Sequence, residues 1–163
     1  MDLSKFQDID VKFIEEGKVA IVMLNKPKKL NVFTWENFDE IRQIMEYLGR
    51  IDSEVRAIVL AGSGKVFTAG LDMNAAMGMQ ELKDSAEDPA RTAIKFFDVV
   101  KPLQEGISSL EKVRVPVIAA IHGYCIGAGL DVVSACDIRY VAKGTKFTIK
   151  EIDLGLAADI GTL

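Results

Sequence analysis

Two apolar stretches of strand length, each followed directly by a glycine-rich loop, constrain the fold of this chain more than any other feature. The first stretch, Val55–Leu60, leads into Gly62–Gly70, and the second, Val117–Ile121, leads into His122–Gly129. Apart from Arg56, both stretches are apolar, and short apolar strands are typical of parallel sheets whose two faces are covered. The repetition therefore predicts an α/β fold whose strand-to-helix turns are built from small residues.

The N-terminal residues predict a β-hairpin. Ile9, Val11 and Phe13 alternate with charged residues, which indicates a half-exposed strand. Val19–Leu24 is apolar on both faces and is expected to be a buried strand. Glu15-Glu16-Gly17 lies between the two as a turn. Together with the later strands, the hairpin gives the chain an internal rhythm of two strands followed by a helix.

Helices are predicted where a capping residue precedes a three- and four-residue apolar spacing. Thr34 is a suitable N-cap for a helix that Gly49 ends. Asp88-Pro89 opens a longer helix, in which Pro102 is expected to cause a kink or a break. Since no linker interrupts the pattern, residues 1–163 are expected to form one domain. Three short elements complete it: a helix over Leu130–Ala135 and strands over Ile138–Val141 and Phe147–Ile149.

Composition excludes several classes of function. With 49% hydrophobic residues, 27% charged residues and a net charge of −4, the chain is typical of a folded domain and lacks the positive charge of a nucleic-acid binder. Its apolar runs are too short to cross a bilayer, and its N-terminus shows no signal or transit peptide pattern. One histidine and two cysteines cannot supply a typical zinc site, so no metal is expected. Cys125 and Cys136 are expected to be reduced thiols of an intracellular protein.

The glycine-rich loops match neither common phosphate-binding motif, because both the Gly-x4-Gly-Lys-Ser/Thr and the Gly-x-Gly-x-x-Gly spacings are absent. One interpretation is that they are only tight turns. The other is that small residues at Ala69-Gly70 and Gly127–Gly129 let a ligand reach backbone N–H groups at a helix start. Two such loops facing each other would form an oxyanion hole.

Several polar residues lie within or after the second loop. Asp131 suits the first turn of a helix, where it complements the helix dipole, and Asp137 suits a cap. Asp159 lies among apolar residues and must be paired, neutral or functional. Glu151 follows the last strand. His122 is expected to be a buried, hydrogen-bonded structural residue rather than a catalytic base.

Two segments carry a resemblance to a known family. Lys65–Asp72 and Pro116–Asp131 resemble the hallmark segments of the enoyl-CoA hydratase/isomerase (crotonase) superfamily, and Ala135–Tyr140 and Asn25–Asn31 extend the match. Within that superfamily, Phe147–Leu163 is similar to the dienoyl-CoA isomerases. The resemblance implies a spiral of ββα turns, followed by a helical C-terminal region that forms homotrimers or dimers of trimers. That region is expected to be missing from this chain.

The resemblance also implies an activity and a site. The family members concerned move the double bonds of 3,5-dienoyl-CoA to the 2,4 positions in the β-oxidation of unsaturated fatty acids, in mitochondria or peroxisomes. The resemblance to these family members implies three catalytic acids, which are Asp131, Glu151 and Asp159 in this sequence. It also implies two oxyanion-hole N–H groups, which belong to Ala69 and Ala128. The substrate is a CoA thioester, and no cofactor is expected. The residues expected to contact it are Lys26, Lys28, Ala69, Gly70, Leu71, Asp72, Met73 and Gly127.

The roles of the acids follow from the chemistry of a thioester. We expect Glu151 to remove a proton from the carbon beside the thioester, and Asp159 to return one at the far end of the conjugated chain. Asp131 would orient the other two. Two alternatives stay open: an enoyl-CoA hydratase, which an aspartate at position 131 disfavours, and a non-catalytic scaffold or RNA-binding homologue. Residues 73–87 are expected to form a mobile loop or weak helix that acyl-CoA orders.

Overall fold

A five-stranded sheet is the centre of the structure, a computed structural model that describes residues 2–75, 77–78, 88–154, 157–158 and 160–161. The strands are β1 (Ile9–Ile14), β2 (Val19–Leu24), β3 (Ala57–Gly62), β4 (Val117–Ile121), β5 (Tyr124–Ile126), β6 (Ile138–Val141) and β7 (Lys146–Thr148). The large sheet has the order β1-β2-β3-β4-β6, antiparallel between β1 and β2 and parallel elsewhere. A second, parallel sheet joins β5 to β7. The predicted α/β class and hairpin are confirmed.

One face of the large sheet forms the core. Val22, Leu60 and Ala119 lie in register on neighbouring strands, and each is fully buried. On the opposite face, Val59 and Ile118 are only half-buried. The strands predicted to be buried are therefore buried on one face and half-buried on the other. The structure shows a half-buried sheet because the helices contribute their apolar side chains to a single core cluster.

The helices whose bounds lie wholly within the described residues are α1 (Trp35–Leu48), α2 (Pro89–Lys112) and α3 (Ala128–Ser134). The predicted caps are present. The Thr34 backbone N–H donates to the side-chain oxygen of Asn37 (2.9 Å), and the Ala90 N–H donates to the Asp88 carboxylate (3.0 Å). The long helix α2 continues through Pro102 without a break. Pro102 has no N–H to donate to the Asp98 carbonyl four residues earlier. Because Asp98 is exposed, water can supply the missing hydrogen bond.

The C-terminal half matches the prediction to within two residues at most boundaries. β4 and β6 have the predicted bounds, and β3 is shifted by two residues towards the C-terminus. The helix α3 begins two residues and ends one residue earlier than predicted. The three residues of β5 lie inside the glycine-rich loop and were not predicted as a strand. Of the stretch predicted to be mobile, residues 73–75 and 77–78 are helical, and the others lie outside the described residues. In the described ranges, no helix combines the length and apolar character needed to cross a membrane.

Candidate active site

Asn31 joins the loop after β2 to the first glycine-rich loop. Its side chain is buried, and its Oδ1 accepts a hydrogen bond from the Lys26 backbone N–H (2.9 Å). Its Nδ2 lies within hydrogen-bond distance of three backbone carbonyls, those of Ser63 (2.8 Å), Val66 (2.9 Å) and Phe67 (3.2 Å). Buried carbonyls need such donors, so this one amide holds the loop in shape.

Thr68 extends the same network towards the end of the loop. Its hydroxyl donates to the Asn31 carbonyl (2.6 Å) and accepts from the Gly70 N–H (3.1 Å). The Ala69 N–H donates to the Leu30 carbonyl (2.9 Å). The prediction that Ala69 supplies an oxyanion-hole donor is therefore wrong, because its N–H is already used to hold the loop.

Leu71, rather than Ala69, presents an available backbone N–H. Phe33 pairs with this segment by donating to the Gly70 carbonyl (2.8 Å) and accepting from the Asp72 N–H (2.8 Å). The Leu71 N–H has no hydrogen-bond partner among the described residues. Gly70, with φ +90°, turns the chain between Ala69 and Leu71. In the sequence, only the glycine at position 70 indicated that the available donor is the N–H of Leu71 rather than that of Ala69.

The second glycine-rich loop meets the first at Gly70. The two loops exchange backbone hydrogen bonds, from Thr68 to the Tyr124 carbonyl (3.1 Å) and from Ile126 to the Thr68 carbonyl (3.3 Å). A Cβ on Gly70 would lie 2.6 Å from the Ile126 carbonyl oxygen and 3.7 Å from the Ala128 nitrogen. Ala128 begins α3, so its N–H has no partner within the helix. The structure thus confirms that the two loops face each other.

Asp131 and Glu151 are the two predicted acids that the structure describes. Asp131, in the first turn of α3, is fully buried, and a Cβ on Gly161 would lie 3.1 Å from the Asp131 Cβ. Glu151 begins a single 3-10 turn and is half-buried, with its carboxylate against Gly127. Its Oε2 is buried and accepts no hydrogen bond from any described residue. The predicted third acid, Asp159, lies outside the described residues.

The two cysteines are buried, free thiols, as predicted. Burial raises the pKa of Cys125 to about 12, and the nearby charge of Asp131 acts in the same direction. Burial likewise raises the pKa of Cys136 to about 12. Neither thiol therefore forms an appreciable amount of thiolate near pH 7, and neither can act as a nucleophile there.

His122 and Asp137 have the structural roles predicted for them. The His122 Nε2 lies 3.1 Å from the Gly64 carbonyl oxygen, although the ring is half-buried rather than buried. The Asp137 carboxylate accepts from the Val117 N–H (2.8 Å) at the start of β4. Among the described side chains, no cluster of three potential ligands is arranged to hold a metal ion.

The two lysines predicted to contact the CoA thioester differ in their surroundings. The Lys26 side chain is 15% exposed, and its ammonium group lies 2.5 Å from the Asp8 carboxylate, so its charge is already paired. Lys28 is exposed and forms no ion pair with a described residue. Both lysines line an open surface pocket of about 790 Å³, in which Glu36 and Glu40 add negative charge. Lys28 is therefore the better candidate for a phosphate contact, and Lys26 is not available as a free cation.

The chain is similar to known proteins over most of its length. The family model described as Enoyl-CoA hydratase/isomerase matches residues 14–163. The mitochondrial delta(3,5)-delta(2,4)-dienoyl-CoA isomerase of Mus musculus is 44% identical over 145 residues, which cover 89% of this chain and 44% of that protein. The peroxisomal protein of the same name from Arabidopsis thaliana is 38% identical, covering 91% and 53%. A short-chain-enoyl-CoA hydratase of Clostridium acetobutylicum is 35% identical, covering 90% and 52%. The chain spans about half the length of these curated relatives.

Solved structures share the fold. A Thermobifida fusca YX protein solved in complex with acetoacetyl-CoA is 28% identical and superimposes with a TM-score of 0.77, covering 95% of this chain and 59% of that one. An enoyl-CoA hydratase/isomerase from Mycobacterium paratuberculosis is also 28% identical, with a TM-score of 0.75 and coverage of 94% and 57%. These likenesses confirm the predicted fold.

Proposed function

Since the chain belongs to the enoyl-CoA hydratase/isomerase family, we propose that the whole protein is a dienoyl-CoA isomerase, which converts a 3,5-dienoyl-CoA into a 2,4-dienoyl-CoA. The observation that carries this proposal is the placement of Glu151. A carboxylate with a buried, unpartnered oxygen lies against the loop that ends at the Ala128 N–H. A base beside backbone donors is the arrangement that removal of a proton next to a thioester requires.

The thioester oxygen is proposed to bind between the N–H groups of Leu71 and Ala128. Removing a proton from the neighbouring carbon leaves negative charge on this oxygen, as in an enolate. Preorganised donors stabilise such a charge, and losing one donor typically costs about 3–4 kcal/mol of transition-state stabilisation. Leu71 replaces Ala69 in this role because the Ala69 N–H donates to Leu30.

Proton transfer then moves both double bonds. Glu151 takes the proton from C2, and the electrons of the C2–H bond form the C2–C3 double bond. The electrons of the C3–C4 double bond form the C4–C5 double bond, and those of the C5–C6 double bond take up a proton at C6 from Asp159. Asp131 orients these groups from the first turn of α3. One proton leaves and one arrives, so the reaction is redox-neutral, and we propose that it uses no cofactor.

The substrate, location and assembly belong to the same proposal. A CoA thioester is supported by the structural neighbour that holds acetoacetyl-CoA. Relatives named mitochondrial or peroxisomal support one of those organelles. A homotrimer or dimer of trimers is supported by apolar side chains that β6 and the segment around β7 leave exposed, which subunit contacts can cover. These side chains are Ile138, Tyr140, Val141, Phe147 and Ile149.

Hydratase chemistry is the second candidate, because one relative is a short-chain-enoyl-CoA hydratase. Adding water requires two acids around a water molecule, and the positions for them here are Asp131 and Glu151. The aspartate at 131 is one methylene shorter than the glutamate that the hydratases use, which disfavours this assignment. Asp159 has no part in hydration, so it separates the two candidates.

Asp159→Asn is the variant that tests the proposal. An amide of the same size cannot donate a proton as a carboxylic acid does, so dienoyl isomerisation is expected to fall by at least about a hundredfold. Thioester affinity is expected to change little, because the backbone donors are untouched. The matched control is Asp153→Asn, which removes an exposed acid that pairs with Lys150 and is expected to leave the rate unchanged. Isomerisation at the normal rate in Asp159→Asn would contradict the three-acid mechanism and favour hydration.

A further inference from the structure

Gly127 is where the second glycine-rich loop touches the proposed base. We infer that Gly127 is a positioning residue, whose missing side chain gives the Glu151 carboxylate its place beside the loop. This inference rests on the proposed function, in which Glu151 is the base. It differs from the expectation that Gly127 contacts the substrate, because here the glycine acts through another residue.

The backbone of Gly127 holds the segment that carries Glu151. Its N–H donates to the Thr148 carbonyl (2.8 Å), one residue beyond the β5–β7 pairing of Ile126 with Thr148. The 3-10 turn that begins at Glu151 follows three residues after Thr148. The loop that ends at the Ala128 donor and the segment that ends at the base are therefore joined by a backbone hydrogen bond.

The missing side chain of Gly127 determines where the carboxylate can lie. A Cβ at this position would be 2.7 Å from the Glu151 Oε1 and 3.5 Å from its Cδ. Real Cβ atoms almost never approach another atom this closely, so with any other residue at 127 the Glu151 carboxylate would have to move away. Because the carboxylate is the far end of a flexible side chain, this movement costs little energy but displaces the base. The Oε2 accepts no hydrogen bond from the described residues. The space left by the missing side chain of Gly127 is consequently what lets the carboxylate lie against the loop.

A small displacement of the base is expected to be costly. A general base must lie within about 2.6–3.2 Å of the atom whose proton it takes. A misplacement of about 1 Å can lower a rate about a hundredfold. Alanine at position 127 is therefore expected to lower kcat by about that factor while changing KM by less than about twofold, because the backbone donors still bind the thioester.

Backbone conformation is the competing explanation, since Gly127 has φ +52° and an alanine there is strained whatever its neighbours. Gly144 is the matched control. It has φ +85°, and nothing lies within 4 Å of a Cβ placed on it. Gly144→Ala thus places an alanine at positive φ without a collision and is expected to leave kcat within about twofold of the original value.

The experiment is a double-mutant cycle between positions 127 and 151 in the whole protein. Gly127→Ala is made alone and together with Glu151→Ala, and kcat, KM and Tm are measured for each variant, with Gly144→Ala beside them. Because the carboxylate can turn aside from the new Cβ, we expect Gly127→Ala to lower Tm by the same amount, to within about 2 °C, whether or not Glu151 is present. A crystal structure of Gly127→Ala is expected to show the Glu151 carboxylate displaced by about 1 Å or more. In the Glu151→Ala background, Gly127→Ala is also expected to have little further effect on kcat.

The outcomes decide between positioning and a purely structural role. If the carboxylate is displaced in Gly127→Ala and kcat falls only where Glu151 is present, the collision with Glu151 is the cause and the inference holds. A carboxylate that keeps its position, failure to fold in both backgrounds, or equal effects of Gly127→Ala and Gly144→Ala on kcat would overturn it. The position of the carboxylate does not depend on activity. A protein without isomerase activity that still shows the displacement would refute the proposed function and leave the contact between Gly127 and Glu151 established.

Discussion

Replacing Glu151 by glutamine is expected to lower the rate of dienoyl-CoA isomerisation by at least about a hundredfold. Glutamine keeps the size of the side chain, and therefore its contact with Gly127, but it cannot accept the proton from C2. The rate is measured on 3,5-dienoyl-CoA with the whole protein. KM is expected to remain near its original value, because the N–H groups of Leu71 and Ala128 are unchanged.

Isotope exchange shows whether the lost step is the one assigned to Glu151. In deuterated water the unsubstituted protein is expected to exchange the proton beside the thioester, and Glu151→Gln is expected to stop this exchange. Glu54→Gln serves as the control, since Glu54 is exposed and lies in the loop before β3. Undiminished exchange in Glu151→Gln would mean that another group is the base.

Asn31→Ala is expected to have the largest effect on stability, lowering the free energy of unfolding by about 3 kcal/mol or more. The change removes the donor from three backbone carbonyls, and leaving a buried polar group unpaired costs about 1–3 kcal/mol. Asn31 also has φ +53°, a conformation in which alanine adds about 1–2 kcal/mol of strain. Denaturant unfolding followed by circular dichroism measures the loss.

Two further variants divide this effect into its causes. Asn25→Ala removes an exposed amide that contacts only Asp10 among the described side chains, and it is expected to cost less than about 0.5 kcal/mol. Asn31→Gly removes the hydrogen bonds but adopts the positive φ without strain. If Asn31→Gly is as stable as the original protein, the hydrogen bonds are not what holds the loop, and the role assigned to the Asn31 side chain is wrong.

Elements with a strong local pattern could be predicted from the sequence. β4 consists of five apolar residues after Pro116, and its observed bounds are those predicted. The start of α2 was predicted because Asp88 caps it and Pro89 opens it, both of which are local effects. β5 could not be predicted in this way. It has three residues within a glycine-rich loop, and it exists because of its pairing with β7, about 20 residues later.

The site was predictable in its parts but not in its contacts. The sequence indicated that the loops at Ala69-Gly70 and Gly127–Gly129 expose backbone N–H groups, and they do meet. The N–H of Ala69 is not available, because it donates a hydrogen bond to the Leu30 carbonyl. The position of Leu30 in the fold therefore decides which N–H remains available. The pairing of Lys26 with Asp8 is likewise a contact between separate segments that no local pattern reveals. Contacts of this kind are set by the tertiary fold.

The most direct test of the central claim is incubation of the whole protein with 3,5-dienoyl-CoA, while the absorbance of the 2,4-dienoyl product is followed. We predict that this absorbance rises without added cofactor and that the product has the mass of the substrate. The comparison is 2-enoyl-CoA, on which a hydratase forms a product heavier by one water. Rapid hydration of 2-enoyl-CoA with no formation of 2,4-dienoyl-CoA would contradict the assignment as an isomerase.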